Sequence, residues 1–154
     1  MSECIVKVPQ AYEYQLKDND LLREISSVQD YIQKIDFGDE EGVFVVLLRG
    51  IYRDIDKKMN TAFAFVNKLN APIKDLYCRI SLSANIENVE IAHMNVSMDH
   101  EFMGMIGVNE ALLVHFNIPV KGLTESRTFS NKEIKYSVDD IRVVFSEDSH
   151  EKNM

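Results

Sequence analysis

The fold is decided by residues 61–84, which read T-A-F-A-F-V-N-K-L-N-A-P-I-K-D-L-Y-C-R-I-S-L-S-A. Two runs of alternating side chains flank a polar connection at residues 67–72. Because successive side chains of a strand point to opposite faces, a period of two predicts two strands, each with a face toward a core. Asn67, Asn70 and Pro72 favour a connection between them. Its length fits a looped hairpin or a crossover between two sheets.

The second run shows the cleaner alternation. Arg79, Ser81 and Ser83 share one face, which we expect to meet water. The other face carries apolar side chains that we expect in the core: Leu76, Cys78, Ile80 and Leu82. A single pair of strands is not stable alone, so other strands must cover this stretch.

Residues 18–36 show the spacing of an amphipathic helix. Asp18, Asn19 or Asp20 can cap its start, and Gly38 follows its end. Apolar residues recur at intervals of three or four on one stripe: Leu21, Ile25, Val28, Ile32 and Ile35. We expect this stripe to dock on the protein's own sheet, with a dimer or partner contact as the alternative.

Several further segments have the pattern of β-strands. Residues 43–48 form an unbroken apolar run, as a strand buried on both faces would, and residues 111–118 alternate. The alternation changes phase at Ala92-His93, which predicts a β-bulge. It breaks again at Asp139-Asp140, which predicts a second bulge or a tight turn.

These patterns predict the fold class and the domain organisation. Strands separated by short turn signals, after one N-terminal amphipathic helix, predict a mainly β protein with an antiparallel β-sandwich. We expect a single domain over residues 1–145, followed by a flexible polar tail at residues 146–154.

Composition narrows the range of partners and compartments. The chain has 154 residues, a net charge of −8 and a pI near 5.0, which disfavours nucleic-acid binding. Neither a leader peptide nor a membrane-spanning run is visible, so we expect no membrane association. The two cysteines, Cys4 and Cys78, lack the spacing of a metal knuckle or a redox pair, and we expect a reduced, cytoplasmic protein.

Residues 99–110, D-H-E-F-M-G-M-I-G-V-N-E, are unusually apolar for a connection. Their apolar side chains either fold inward or form an exposed patch that binds a partner. The residues we predict for partner binding are Phe102, Met103, Met105 and Ile106.

The same region offers metal ligands as an alternative. His93, Asp99 and His100 have nitrogen and oxygen atoms that can coordinate zinc, although no paired spacing such as HxH is present. Methionine sulfur favours copper(I), and methionines cluster nearby: Met94, Met98, Met103 and Met105. Methionine also fills irregular cores, and we predict neither a metal nor another cofactor.

The motifs that mark common enzyme sites are missing from the sequence. It contains no GxSxG nucleophile elbow and no phosphate-binding glycine loop. Cys78 lies on the predicted core face, where burial disfavours its thiolate. We therefore predict no catalytic residues and a protein that is not an enzyme.

The pattern F-A-F-V-N-K-L-N-A-P-I-K-D-L at residues 63–76, with A-L-L-V-H-F-N-I-P-V at residues 111–120, resembles small bacterial immunoglobulin-like modules. Domains of the SLAP and FxLYD type show this style, and the resemblance covers residues 60–145. It implies an immunoglobulin-like β-sandwich without enzymatic activity, of a kind often associated with the cell surface. No functional residues carry over from it.

Together these observations predict a non-enzymatic protein-binding or assembly module. Its partner would be another protein or a second copy of the chain, because unpaired strand edges are natural pairing sites. Two alternatives stay open: a metal-binding protein or metal-dependent enzyme that uses His93, Asp99 and His100, and a structural subunit of a phage or cellular assembly.

Overall fold

A computed structural model describes residues 4–146 of the protein. The strands in this range are β1 (Ile5–Lys7), β2 (Val43–Arg53), β3 (Lys58–Asn67), β4 (Ile73–Ala84), β5 (Glu90–Ile91), β6 (Met94–Met98), β7 (Glu110–Lys121), β8 (Arg127–Ser130) and β9 (Ile134–Phe145). The helices are a 3-10 helix (Gln10–Lys17), α1 (Asn19–Gln33) and the short α2 (His100–Met103). The predicted polar tail lies outside the described residues except for Ser146.

The strands form two sheets, so the protein is mainly β, as predicted. The first sheet has the order β1-β7-β3-β2-β8, and β5 pairs with β7 at its side. The second sheet has the order β6-β4-β9. All pairs are antiparallel except β1 with β7. None of the helices within residues 4–146 is long and apolar enough to cross a bilayer.

The stretch at residues 61–84 is a crossover between the two sheets and not a hairpin. β3 pairs with β2 and β7 in the first sheet, whereas β4 pairs with β6 and β9 in the second. Residues 68–72 therefore carry the chain across the core. As expected, the apolar face of β4 is buried in that core: Leu76, Cys78, Ile80 and Leu82.

β3 is buried on both faces. Phe63 and Phe65 point into the core between the sheets, while Ala62, Ala64 and Val66 belong to a second apolar cluster on the other face. The unbroken apolar run of β2 predicted such burial for residues 43–48. Those residues are instead half-buried, apart from Leu47, because β2 lies nearer the edge of the sheet.

Helix α1 covers the second face of the first sheet. The side chain of Asp18 accepts hydrogen bonds from the backbone N–H groups of Asp20 and Leu21, which caps the helix as the sequence predicts. Val28 and Ile32 are buried against the second apolar cluster. The helix ends at Gln33, three residues before the predicted end, and the 3-10 helix that precedes it was not predicted.

The two predicted irregularities have different origins. Asp139-Asp140 is a bulge in β9: the register against β4 shifts there, and Asp140 has a φ of 54°. The bulge predicted at Ala92-His93 is wrong. At that point the chain leaves β5, which pairs with β7, and enters β6, which pairs with β4. The alternation changes phase because the core lies on the other side of the new sheet.

Candidate protein-binding surface

The apolar segment at residues 99–110 is held firmly in place. Asp99 caps α2, because its side chain accepts a hydrogen bond of 3.0 Å from the N–H of Phe102. Ile106 forms an isolated β-bridge with Ile73, in which each backbone N–H donates to the other residue's carbonyl at 2.9 Å. The segment is thus a structured part of the surface, built from a short helix and one bridge.

The residues predicted for partner binding are divided between core and surface. Met103 and Ile106 are fully buried in the core between the sheets. Phe102 is half-buried, and Met105 is 47% exposed. Both possibilities that the sequence left open are therefore realised, each by two of the four residues, and Phe102 and Met105 are the two within reach of a partner.

Side chains from the N-terminal segment extend this apolar surface. The ring of Tyr12 packs edge-on against Phe102, with the ring centroids 5.4 Å apart. The N–H of Ile5 donates to the carbonyl of Asn109 at 3.1 Å, which places Ile5 next to the segment that carries Val108. Ile5 and Val108 are both more than half exposed. The loop surface, as we call it, consists of Ile5, Tyr12, Phe102, Met105 and Val108.

Polar contacts join β1 to the 99–110 segment beneath the loop surface. The ammonium group of Lys7 donates to the carbonyl of Met105 and forms an ion pair with Glu110 at 3.4 Å. The carboxylate of Glu110 also accepts a hydrogen bond of 2.6 Å from the N–H of Gly107. These contacts hold the backbone of the segment that contains Met105 and Val108.

Ile5 and Tyr12 were not predicted from the sequence to belong to this surface. Tyr12, Tyr14 and Leu16 alternate within an otherwise polar stretch and are all exposed. Aromatic side chains are common at protein interfaces, so this alternation in a polar stretch is the sequence feature that could have indicated a binding surface. Their place beside Phe102 depends on the tertiary structure.

The residues considered as metal ligands do not converge. His93 is exposed where the chain passes from β5 to β6, Asp99 caps α2, and Nδ1 of His100 lies 3.5 Å from Asp75. Across residues 4–146, no group of three or more His, Cys, Asp or Glu side chains could hold a metal ion. Of the clustered methionines, Met98 and Met103 are core residues.

A separate charged cluster fastens α1 to the first sheet. Glu24 lies in α1, and its carboxylate accepts hydrogen bonds of 2.6 Å from Arg49 of β2 and 2.9 Å from His115 of β7. Burial alone would raise the pKa of Glu24, but the hydrogen bonds and charges of His115 and Arg49 outweigh it and hold that pKa below its usual range. A carboxylate held ionised by two partners is a structural anchor and a poor general acid.

A shallow cavity of about 450 Å³ lies beside the loop between β7 and β8. Arg127 borders it, but the guanidinium pairs with Glu133 at 2.7 Å and lies over the ring of Phe129. Ser126, also at its wall, donates to Asp54 at 2.8 Å. The side chains of Arg127 and Ser126 are thus engaged with the protein itself, which leaves the loop surface as the stronger candidate.

Comparison of the chain with known protein families, curated proteins and solved structures found no match. Its function is inferred from its own residues.

Proposed function

We propose that this protein is a non-enzymatic protein-binding module and that the loop surface is where its partner binds. The observation that carries the proposal is that five apolar side chains on three adjoining segments are at least partly exposed, with the rings of Tyr12 and Phe102 in contact. Contiguous apolar patches on soluble proteins commonly mark interaction sites. Aromatic residues and methionine, both present here, are enriched in such interfaces.

The charge around the loop surface favours a partner with a basic rim. Glu13, Asp99 and Glu101 are exposed on the elements that carry Tyr12 and Phe102. Complementary charges at the rim of an interface speed association and select among partners. The partner we propose is therefore a protein with an apolar contact region bordered by Lys or Arg.

We also propose an immunoglobulin-like arrangement of the two sheets with α1 as an added layer. The chain passes from the first sheet to the second between β3 and β4, returns to the first at β5, and enters the second again at β6. It is back in the first sheet at β7 and crosses once more at β9. Repeated crossing of this kind supports the proposal, because immunoglobulin-like sandwiches have Greek-key connections. Two free thiols, Cys4 and Cys78, support a reducing, cytoplasmic setting.

A retention experiment tests the binding proposal. The immobilised protein is exposed to a lysate of its source cells, and retained proteins are compared with those held by the double variant Met105→Glu, Val108→Glu. The matched control is Ile55→Glu. Ile55 is 92% exposed and lies in the turn before Lys58, at the opposite end of β3 from the loop surface.

We expect a protein that the wild type and the Ile55→Glu variant retain and that the double variant loses. The double variant should keep the wild-type circular dichroism spectrum, since both substituted side chains are exposed. Equal retention by all three forms, or retention of no protein by the wild type, would refute the proposal.

A further inference from the structure

The outer edge of β2 is paired along only four of its eleven residues. β3 pairs with β2 from Val43 to Arg53, but on the other side β8 pairs only with Arg49–Tyr52. The turn at residues 131–133 then takes the chain into β9 of the second sheet. Along residues 43–48, no described strand pairs with this edge of β2. The free edge, as we call it, is the five-residue run 43–47.

Two hydrogen bonds show which backbone groups face outward at the free edge. The carbonyl of Gly42 accepts from Lys68 at 2.9 Å, at the end of β3. The carbonyl of Val45 accepts from the side-chain hydroxyl of Tyr136 at 2.9 Å, on the opposite side. Since backbone direction alternates along a strand, Val43, Val45 and Leu47 direct their N–H and C=O groups away from β3.

Three of the other edge strands, β1, β8 and β9, carry features that discourage pairing. β1 has three residues and β8 has four. β9 is interrupted by the bulge at Asp139-Asp140 and carries Lys135 and Arg142. Short strands, bulges and charges are the common means of protecting an edge. The free edge reads V-F-V-V-L and contains no charge and no proline.

We propose that the free edge pairs with the free edge of a second copy of this chain. The two β2 strands run antiparallel with a twofold axis at Val45, so that Val43 of each copy faces Leu47 of the other. Every facing pair in this register is apolar. The hydroxyl of Tyr136 leaves the carbonyl of Val45, which then accepts from the partner's backbone, and the first sheet becomes continuous across the dimer.

Charge at the ends of this pairing favours a second copy over an unrelated strand. In the same register, the residue before Gly42 in one copy approaches the end of β8 in the other. That residue is Glu41, preceded by the exposed Asp39 and Glu40. The end of β8 presents Lys132, which is exposed just after Ser130, the residue paired with Arg49. An acidic turn thus meets a lysine at both ends of the pairing.

Light scattering after size exclusion, across micromolar to millimolar concentrations, tests this proposal. We expect a monomer–dimer equilibrium for the wild type. Val43→Pro removes an N–H that faces away from β3, so it spares the pairing with β3 but deletes one intermolecular hydrogen bond from each copy. Loss of these two intermolecular hydrogen bonds should raise the dissociation constant of the dimer by at least about tenfold. Val43→Ala keeps the N–H and should dimerise like the wild type.

Two further variants keep the test decisive if Val43→Pro does not fold. Tyr136→Phe frees the carbonyl of Val45 and should strengthen dimerisation. Val45→Cys places two thiols at the twofold axis and should form a disulfide-linked dimer on mild oxidation. A wild type that stays monomeric throughout, or a dimer unaffected by both Val43→Pro and Tyr136→Phe, overturns the proposal.

The Met105→Glu, Val108→Glu variant separates this proposal from binding at the loop surface. We expect it to dimerise like the wild type, because its substitutions lie outside the free edge. A dimer that this variant abolishes would place the self-contact at the loop surface and overturn pairing through β2.

Discussion

The side-chain amide of Asn67 donates a hydrogen bond of 2.9 Å to the backbone carbonyl of Ile106, and this hydrogen bond is buried. The same amide donates to the carbonyls of Ala71 and Gly107, and its oxygen accepts from the N–H of Leu69 at 2.9 Å. One buried residue at the end of β3 thus holds both the crossover to β4 and the segment that carries the loop surface.

Replacement of Asn67 should destabilise the fold, and aspartate should be worse than alanine. Asn67→Ala removes the donors and should cost about 2 kcal/mol of unfolding free energy. Asn67→Asp also places a carboxylate against three carbonyl oxygens. Urea denaturation measures both costs, and Asn117→Asp is the control, because Asn117 is exposed and its oxygen only accepts, from Asn60.

The cost of Asn67→Asp should depend on pH. Burial among carbonyl oxygens should raise the pKa of the introduced carboxyl above its unfolded value, and a protonated carboxyl can donate as the amide did. The variant should therefore lose stability, relative to the wild type, as the pH rises from about 4 to about 8. A cost that stays constant over this range would contradict the proposed geometry.

The anchor between α1 and the first sheet should weaken in acid. Because the folded-state pKa of Glu24 is below its ordinary value of 4.5, ionised Glu24 stabilises the fold above that value, and this contribution is lost as the pH falls through the folded pKa. Glu24→Gln should cost about 1 kcal/mol near neutral pH, a modest value because Arg49 and His115 are partly exposed.

The difference in unfolding free energy between wild type and Glu24→Gln should therefore be smaller at about pH 3 than at about pH 7. Glu125→Gln, an exposed acid beside the shallow cavity, is the control and should change little at either pH. An equal or larger difference in acid would show that Glu24 does not act through its charge.

Alanine at Gly122 should be far more costly than alanine at Gly38. Both glycines have positive φ, 97° and 69° respectively, so each substitution strains the backbone by about 1 kcal/mol. A Cβ at Gly38 meets nothing within 4 Å, whereas one at Gly122 overlaps the backbone carbonyl of Asn88. Thermal denaturation should show a loss of about 2–4 kcal/mol for Gly122→Ala. Similar losses for both variants would mean that the contact with Asn88 is not tight.

The cysteines should resist alkylation in the folded protein. Burial raises the pKa of Cys78 to about 11 from a reference value of 9.0, so its thiolate is about a hundredfold scarcer near pH 8. Burial also raises the pKa of Cys4. Mass spectrometry after iodoacetamide treatment should show neither thiol modified in native buffer and both modified in urea. Rapid native labelling of Cys78 would place it outside the core.

The loop surface could be predicted only in part. The sequence showed that residues 99–110 are too apolar for a solvated connection, and Met105 and Phe102 do reach the surface. It could not show that Met103 and Ile106 turn inward, since no regular period governs a segment with a four-residue helix and a single bridge. Nor could it place Tyr12 beside Phe102, because that contact joins residues far apart in the chain.

The sequence by itself determined that residues 61–84 form two strands, and which side of the second strand, β4, faces the core. Alternation encodes burial, because every second side chain of a strand points the same way. Only the tertiary structure decided that β3 and β4 belong to different sheets, with Asn67 at the crossing. The reason is physical: backbone groups bond equally well to any strand, so the neighbour is chosen by how the whole chain packs.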